Sequence, residues 1–193
     1  MQGKIVLITG GTRSGKSVFA EKYAAAQSDR VAYIATAHVY DQEMQMRVTM
    51  HRKRRPDTWK TFEAPYHAEQ VLPEAVKHAD IILFDCLTIY TSNLLLAENV
   101  PVNPEERFQY VMNEIDTLVD SCRKSQATIL FVTNEVGMGI VPENALAREY
   151  RDVAGMVNQK IAACADEVYL VVCGLPVELK KIATKISQEV YHG

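Results

Sequence analysis

Apolar residues gather in five short runs along the chain, at residues 4–9, 31–35, 81–84, 128–133 and 167–172. Each run is continuous rather than alternating, the pattern of a strand covered on both faces. Between the runs, apolar positions fall at helical spacing. Phe108, Val111, Met112, Ile115, Leu118, Val119 and Cys122 make one face of a helix. Asn103 is its predicted N-cap, Pro104 suits the first turn, and Glu106 stands where a capping box places an acid. A second helix is predicted after Pro142, with Leu146, Tyr150, Val153, Val157 and Ile161 on one stripe, and Ala147 and Ala154 allowing close approach. Residues 99–103 read as a loop between helices. Strands alternating with helices predict an α/β fold with a mostly parallel sheet flanked by helices. Ligands of such sheets collect at the carboxyl ends of the strands. Functional weight therefore falls on residues 10–17, 36–38, 85–88 and 134–139.

Composition narrows the class. The chain has 193 residues, 48% of them hydrophobic and 23% charged, values that exclude a disordered or collagen-like chain. No repeat or low-complexity tract divides it, so one domain over residues 1–193 is expected. Lys plus Arg number 21 against 24 for Asp plus Glu, a formal charge of −3, which argues against a nucleic-acid binder. Cys86, Cys122, Cys164 and Cys173 are too widely spaced for a zinc site or a disulfide framework, and each is expected to be a small buried hydrophobe. No run approaches the ~18 apolar residues of a membrane span. The N-terminal residues carry no signal-peptide pattern, and the cytoplasm is the expected compartment.

The strongest motif is Gly10-Gly11-Thr12-Arg13-Ser14-Gly15-Lys16-Ser17, which fits G-x-x-x-x-G-K-[ST] between a predicted strand and a predicted helix. Glycines let the backbone curl so that its N–H groups face phosphate oxygens, and the helix that follows adds its positive end. Lys16 is expected to reach the β- and γ-phosphates of a nucleoside triphosphate, and the Ser17 hydroxyl to ligate Mg²⁺. Four apolar residues ending in Asp85 present a carboxylate suited to the same metal; the other reading of Asp85 is a cap for the next helix. Asp80, at the strand's opposite end, is expected in solvent.

Arg47, Arg52, Lys53, Arg54, Arg55 and Lys60 crowd a window in which Asp57 is the one acid. The segment at about 41–63 follows the second strand, where an active-site insertion is expected, though a solvated helix face has the same composition. A triphosphate clamp and a nucleic-acid patch both fit it. His51 lies within it. Neighbouring cations lower an imidazole's pKa and keep it neutral and nucleophilic near pH 7. His38 could contact nucleotide; His67, His78 and His192 read as surface residues, and Trp59 as a packing residue.

These residues together resemble a known family. Thr9 to Ser17, Tyr33-Ile34-Ala35-Thr36, His51-x-x-x-Arg55-Pro56-x-x-Trp59-x-Thr61-x-Glu63, Asp85-Cys86-Leu87-Thr88 with Asn93, and the run from Thr133 to Asn144 all match it. Arg148, Arg151-Asp152, Gly155 and Asn158-Gln159 continue the pattern. The chain resembles the bifunctional adenosylcobinamide kinase / adenosylcobinamide-phosphate guanylyltransferases of cobalamin biosynthesis, from about residue 4 to Lys180. The resemblance implies a RecA-like P-loop NTPase fold and a homotrimer. It also implies two reactions: phosphorylation of adenosylcobinamide by ATP or GTP, then transfer of GMP from GTP through a guanylylated histidine. His51 matches the nucleophile's position. Thr36, Ala37, His38, Lys53, Arg54, Arg55, Pro56, Glu63 and Asp85 match nucleotide-contacting positions, beside the Gly10–Ser17 loop. Two other readings stay open at this level: a P-loop small-molecule kinase without nucleotidyl transfer, and a nucleic-acid-binding P-loop ATPase.

Overall fold

A computed structural model of the chain describes residues 3–38, 46, 52 and 55–184. The described strands are β1 (Ile5–Thr9), β2 (Val31–Ala35), β3 (Lys60–Glu63), β4 (Ile81–Asp85), β5 (Thr128–Val132), β6 (Glu167–Val172) and β7 (Leu175–Glu178). They join one sheet in the order β3-β2-β4-β5-β1-β6-β7. Every pairing is parallel except the last, between β6 and β7. The helices described in full are α1 (Lys16–Gln27), α2 (Ala68–His78), α3 (Leu87–Leu95), α4 (Pro104–Lys124), α5 (Ala145–Cys164) and the short α6 (Leu179–Ile182).

The continuous apolar runs have the expected cause. In β1, Ile5 and Leu7 pack into a core with α2, α3, α4 and α5, while Val6 and Ile8 pack into a second core with α1. Both faces of the central strands are therefore dry, and every position must be apolar. Trp59 is buried in the α1-side core, as a packing residue should be. Asn103 caps α4, its Oδ1 accepting from the N–H groups of Glu105 (2.9 Å) and Glu106 (3.2 Å). Pro73 lies inside α2 and cannot donate to the carbonyl of Glu69. The Ser121 hydroxyl from α4 donates to that carbonyl instead, at 3.3 Å. Among the described residues, no helix is long and apolar enough to cross a membrane.

Two strands lie outside the five apolar runs. Both are edges: β3 has Lys60, Thr61 and Glu63 exposed, and Leu175, Pro176 and Val177 of β7 are exposed. An edge strand needs no continuous apolar run, and charge or Pro there discourages pairing with another chain. β7 returns from β6 through the two residues Cys173 and Gly174, with φ of 52° and 80°. Positive φ at both positions is the requirement of a type I′ hairpin turn. This corrects the expectation for Cys173, which is exposed at the turn; Cys86 and Cys122 are buried and Cys164 partly so. Asp80 is exposed as expected, accepting from the Ser28 hydroxyl and facing Arg30.

Candidate functional site

The loop between β1 and α1 curls against the β6–β7 turn. A Cβ on Gly10 would stand 2.4 Å from the Val171 carbonyl oxygen and 2.7 Å from Ser14 Oγ, so only glycine fits there. Gly15 takes φ 97° and sits 3.0 Å, measured from an added Cβ, from Gly174. Gly174 in turn donates its N–H to the Ser14 carbonyl. As N-cap of α1, Gly15 brings no side chain to the first-turn N–H groups. Those donors remain available to an anion, and the helix dipole favours one.

Lys16 is 9% exposed and its Nζ donates to the Gly11 carbonyl at 3.1 Å. Burial holds its pKa below the ordinary lysine value, while the nearby Asp85 charge opposes that shift. A largely desolvated ammonium beside the phosphate loop is poised for phosphate oxygens.

Parallel register builds the facing wall. Ala35 of β2 lies opposite both Glu63 of β3 and Asp85 of β4, so the ends of three strands share one row. Asp85 follows Ile81 and Leu83 on the α1-facing side of the sheet, as does Tyr33. The Tyr33 hydroxyl donates to Asp85 Oδ2 at 3.0 Å. The Arg55 guanidinium lies over the Tyr33 ring, 3.4 Å from its centroid. Burial pushes the Tyr33 pKa up, and the Asp85 charge pushes it further, so the phenol remains the donor. Between this wall and the Gly10–Ser17 loop lies a cleft of about 330 Å³. Arg13, Lys16 and Ser17 line it from the loop side and Ala37, Glu63 and Asp85 from the strand ends, together with Arg52 and Arg55. Ser17 and Asp85 both line it, and a hydroxyl and a carboxylate are the hard oxygen donors that Mg²⁺ takes.

The segments carrying these residues are tied together beneath the cleft. Thr36 is fully buried; its hydroxyl donates to the Cys86 carbonyl (2.9 Å) and accepts from the Cys86 N–H (2.8 Å). Asn93 of α3 donates to the carbonyls of Thr36 and Pro65, joining the exits of β2 and β3. The Thr88 hydroxyl accepts from the Asn134 N–H, and Asn158 bridges the Thr133 hydroxyl and the Asn134 carbonyl. Burial pushes the Cys86 thiol up to about 12, which leaves it neutral and inert.

The structure thus brings Lys16, Ser17, Arg13, Ala37, Arg55, Glu63 and Asp85 to one cleft. Gly10, Gly11, Thr12, Ser14 and Gly15 form the loop at its edge. Thr36 turns inward as an anchor. His38 is exposed with its ring 6.1 Å from that of Tyr66, and Pro56 borders a small hollow beside the cleft. His51, Lys53 and Arg54 lie outside the described residues. Tyr33, Thr61, Cys86, Ile89 and Asn134 also line the cleft, although their residue types alone give no role. A second hollow, of about 790 Å³, lies between the segment after β5 and α5. Glu135, Gly137, Arg151, Asp152, Gly155 and Gln159 border it, all from the runs that carry the resemblance.

Comparison with known proteins follows the same lines. The sequence model of a family described as cobinamide kinase / cobinamide phosphate guanyltransferase matches residues 6–179. The bifunctional adenosylcobalamin biosynthesis protein CobU of Escherichia coli (strain K12) is 42% identical over 181 residues, covering 91% of this chain and 99% of that protein. The protein of the same name from Salmonella typhimurium (strain LT2) is 44% identical over 181 residues, with coverage of 91% and 99%. Among solved structures, a prototypical ATPase from the type III secretion system of pathogenic bacteria superposes with a TM-score of 0.58 at 13% identity, over 96% of this chain and 61% of that one. At that identity the likeness concerns the α/β P-loop fold alone.

Proposed function

The chain belongs to the cobinamide kinase / cobinamide phosphate guanyltransferase family, and from that premise we propose that one cleft performs both reactions of adenosylcobalamin biosynthesis. The observation that carries this reading is the shared lining: Lys16, Ser17 and Asp85 face the same space as Arg52 and Arg55 of the basic segment.

In the kinase step, the Gly10–Ser17 loop cradles the phosphates of ATP or GTP and Lys16 follows the transferring γ-phosphoryl group. The acceptor is a hydroxyl of adenosylcobinamide, and transfer is in line, without a protein nucleophile. Mg²⁺ held by Ser17 and Asp85 offsets phosphate charge when bound. In the second step the His51 imidazole attacks the α-phosphorus of GTP. A P–N bond forms, the bond from the α-phosphorus to the β-phosphate's bridging oxygen breaks, and pyrophosphate leaves. A phosphate oxygen of adenosylcobinamide phosphate then attacks the same phosphorus, the P–N bond breaks, and adenosylcobinamide-GDP and free His51 result. Dividing the transfer gives each displacement a well-placed nucleophile. Arg52 and Arg55, close to His51 in sequence, line the cleft that holds the triphosphate in this reading, and Arg suits such contacts. Lys53, Arg54, Pro56, Glu63, Ala37 and His38 complete the proposed nucleotide surroundings, with Thr36 anchoring them from beneath. We place the enzyme in the cytoplasm, as one domain acting in a homotrimer.

The test is incubation with GTP labelled on the α-phosphate, followed by denaturation and counting of protein-bound label. Label is expected from α-labelled and not γ-labelled GTP, labile to acid and stable to base. His51→Ala should lose the label and guanylyl transfer while keeping kinase activity. Wild-type protein that never labels with Mg²⁺ present would leave a simple P-loop kinase. Steeply salt-dependent polynucleotide binding would instead favour a nucleic-acid ATPase.

A further inference from the structure

Tyr33 is absent from the phosphate loop, the basic segment and the strand-end carboxylate, yet it touches two of the three. It lies in the middle of β2, opposite Leu83 of β4 and Thr61 of β3, and is 6% exposed. Its side chain runs under the cleft toward the strand ends. The hydroxyl reaches Asp85 Oδ2 at 3.0 Å, and the ring face carries the Arg55 guanidinium at 3.4 Å. A packing role alone would be served by Phe, which makes no bond to a carboxylate.

We propose that Tyr33 is a positioning residue for both reactions: its hydroxyl orients the Asp85 carboxylate, and its ring seats Arg55, so that the metal end and the basic end of the cleft share one support. This rests on the reading of Asp85 and Arg55 given above. A carboxylate held through one oxygen cannot rotate freely about its Cβ–Cγ bond, so its other oxygen keeps a fixed direction. Partners that orient metal-binding carboxylates in this way tune affinity strongly. Stacking engages the flat face of a guanidinium and leaves its in-plane N–H groups directed sideways, where a phosphate can meet them. The two contacts are separable by substitution, because one uses the hydroxyl and the other the ring.

The experiment measures Mn²⁺ binding to the chain with a non-hydrolysable GTP analogue by electron paramagnetic resonance, beside the steady-state guanylylation kinetics. Tyr33→Phe should weaken Mn²⁺ binding about 10-fold, with the KM for GTP at saturating metal unchanged. Arg55→Lys keeps the charge and loses the planar face; it should raise the KM for GTP several-fold and leave Mn²⁺ binding as in wild type. Tyr33→Leu should show both defects. Asp85→Asn is the reference and should weaken Mn²⁺ at least as much as Tyr33→Phe. Wild-type Mn²⁺ affinity in Tyr33→Phe, with Asp85→Asn impaired, overturns the role of Tyr33 and leaves the Asp85 reading standing. Wild-type affinity in both variants overturns both. An unchanged KM in folded Arg55→Lys removes the ring's part. Should Tyr33→Leu not fold, the Phe and Arg55 variants decide the matter between them.

Discussion

Thr36→Val is the most direct probe of how the cleft is held, because it exchanges a hydroxyl for a methyl at nearly constant volume. Thr36 is fully buried and makes two bonds with Cys86, donating to its carbonyl and accepting from its N–H. The carbonyl also accepts from Tyr90 at 3.1 Å, so after substitution it keeps one partner. The Cys86 N–H loses the hydroxyl in a buried site and costs about 1–3 kcal/mol; the lost carbonyl bond adds about 1 kcal/mol. The sum, about 2–4 kcal/mol, is a large part of the ~5–15 kcal/mol that stabilises an ordinary domain. At this chain length each kcal/mol moves the melting temperature by about 2–4 °C. Thr36→Val should therefore melt about 5–15 °C below wild type in scanning calorimetry. Thr36→Ser keeps both bonds and removes one methyl, a loss of about 1 kcal/mol. Asp85 immediately precedes Cys86, so the valine variant should also need more Mg²⁺ for half-maximal kinase rate. A melting temperature within about 2 °C of wild type would refute the argument. So would a serine variant as unstable as the valine one, which would shift the cause from hydroxyl to shape.

Lys16→Ala should slow phosphoryl transfer about 100-fold or more while melting no lower than wild type, since it removes an ammonium whose burial already disfavours its charge; a kinase assay beside a thermal melt checks both, and near-wild-type turnover would refute the phosphate role. Asn103→Ala removes the cap that accepts from Glu105 and Glu106; it should cost about 0.5–2 kcal/mol in urea denaturation and leave both activities intact, because α4 reaches the cleft only through its packing.

Much of the fold was legible from one-dimensional pattern. Five of the seven described strands announced themselves as apolar runs because β1, β2, β4, β5 and β6 carry buried faces. The Asn103-Pro104 cap was legible because its chemistry is local. The phosphate loop was legible because glycine is demanded at fixed spacing by close approach and by positive φ. The edges β3 and β7 escaped because half-exposed strands need no such run, and Cys173 was misjudged because an apolar neighbourhood in sequence can still end in a turn.

The site divides in the same way. Sequence alone determined that a triphosphate loop, a strand-end carboxylate and a basic segment occur in one chain, since each is a short string with its own chemistry. Only tertiary structure decided that they face one space. Tyr33 meets Asp85 across 52 positions and Thr36 meets Cys86 across 50. Those meetings follow from β2 pairing with β4 in a particular register, and from β1 entering between β5 and β6. Periodicity records which face of an element is buried, but strand order and register depend on how helices of given length and bulk cross between strands. That information is spread over the whole packed molecule, and no segment carries it alone.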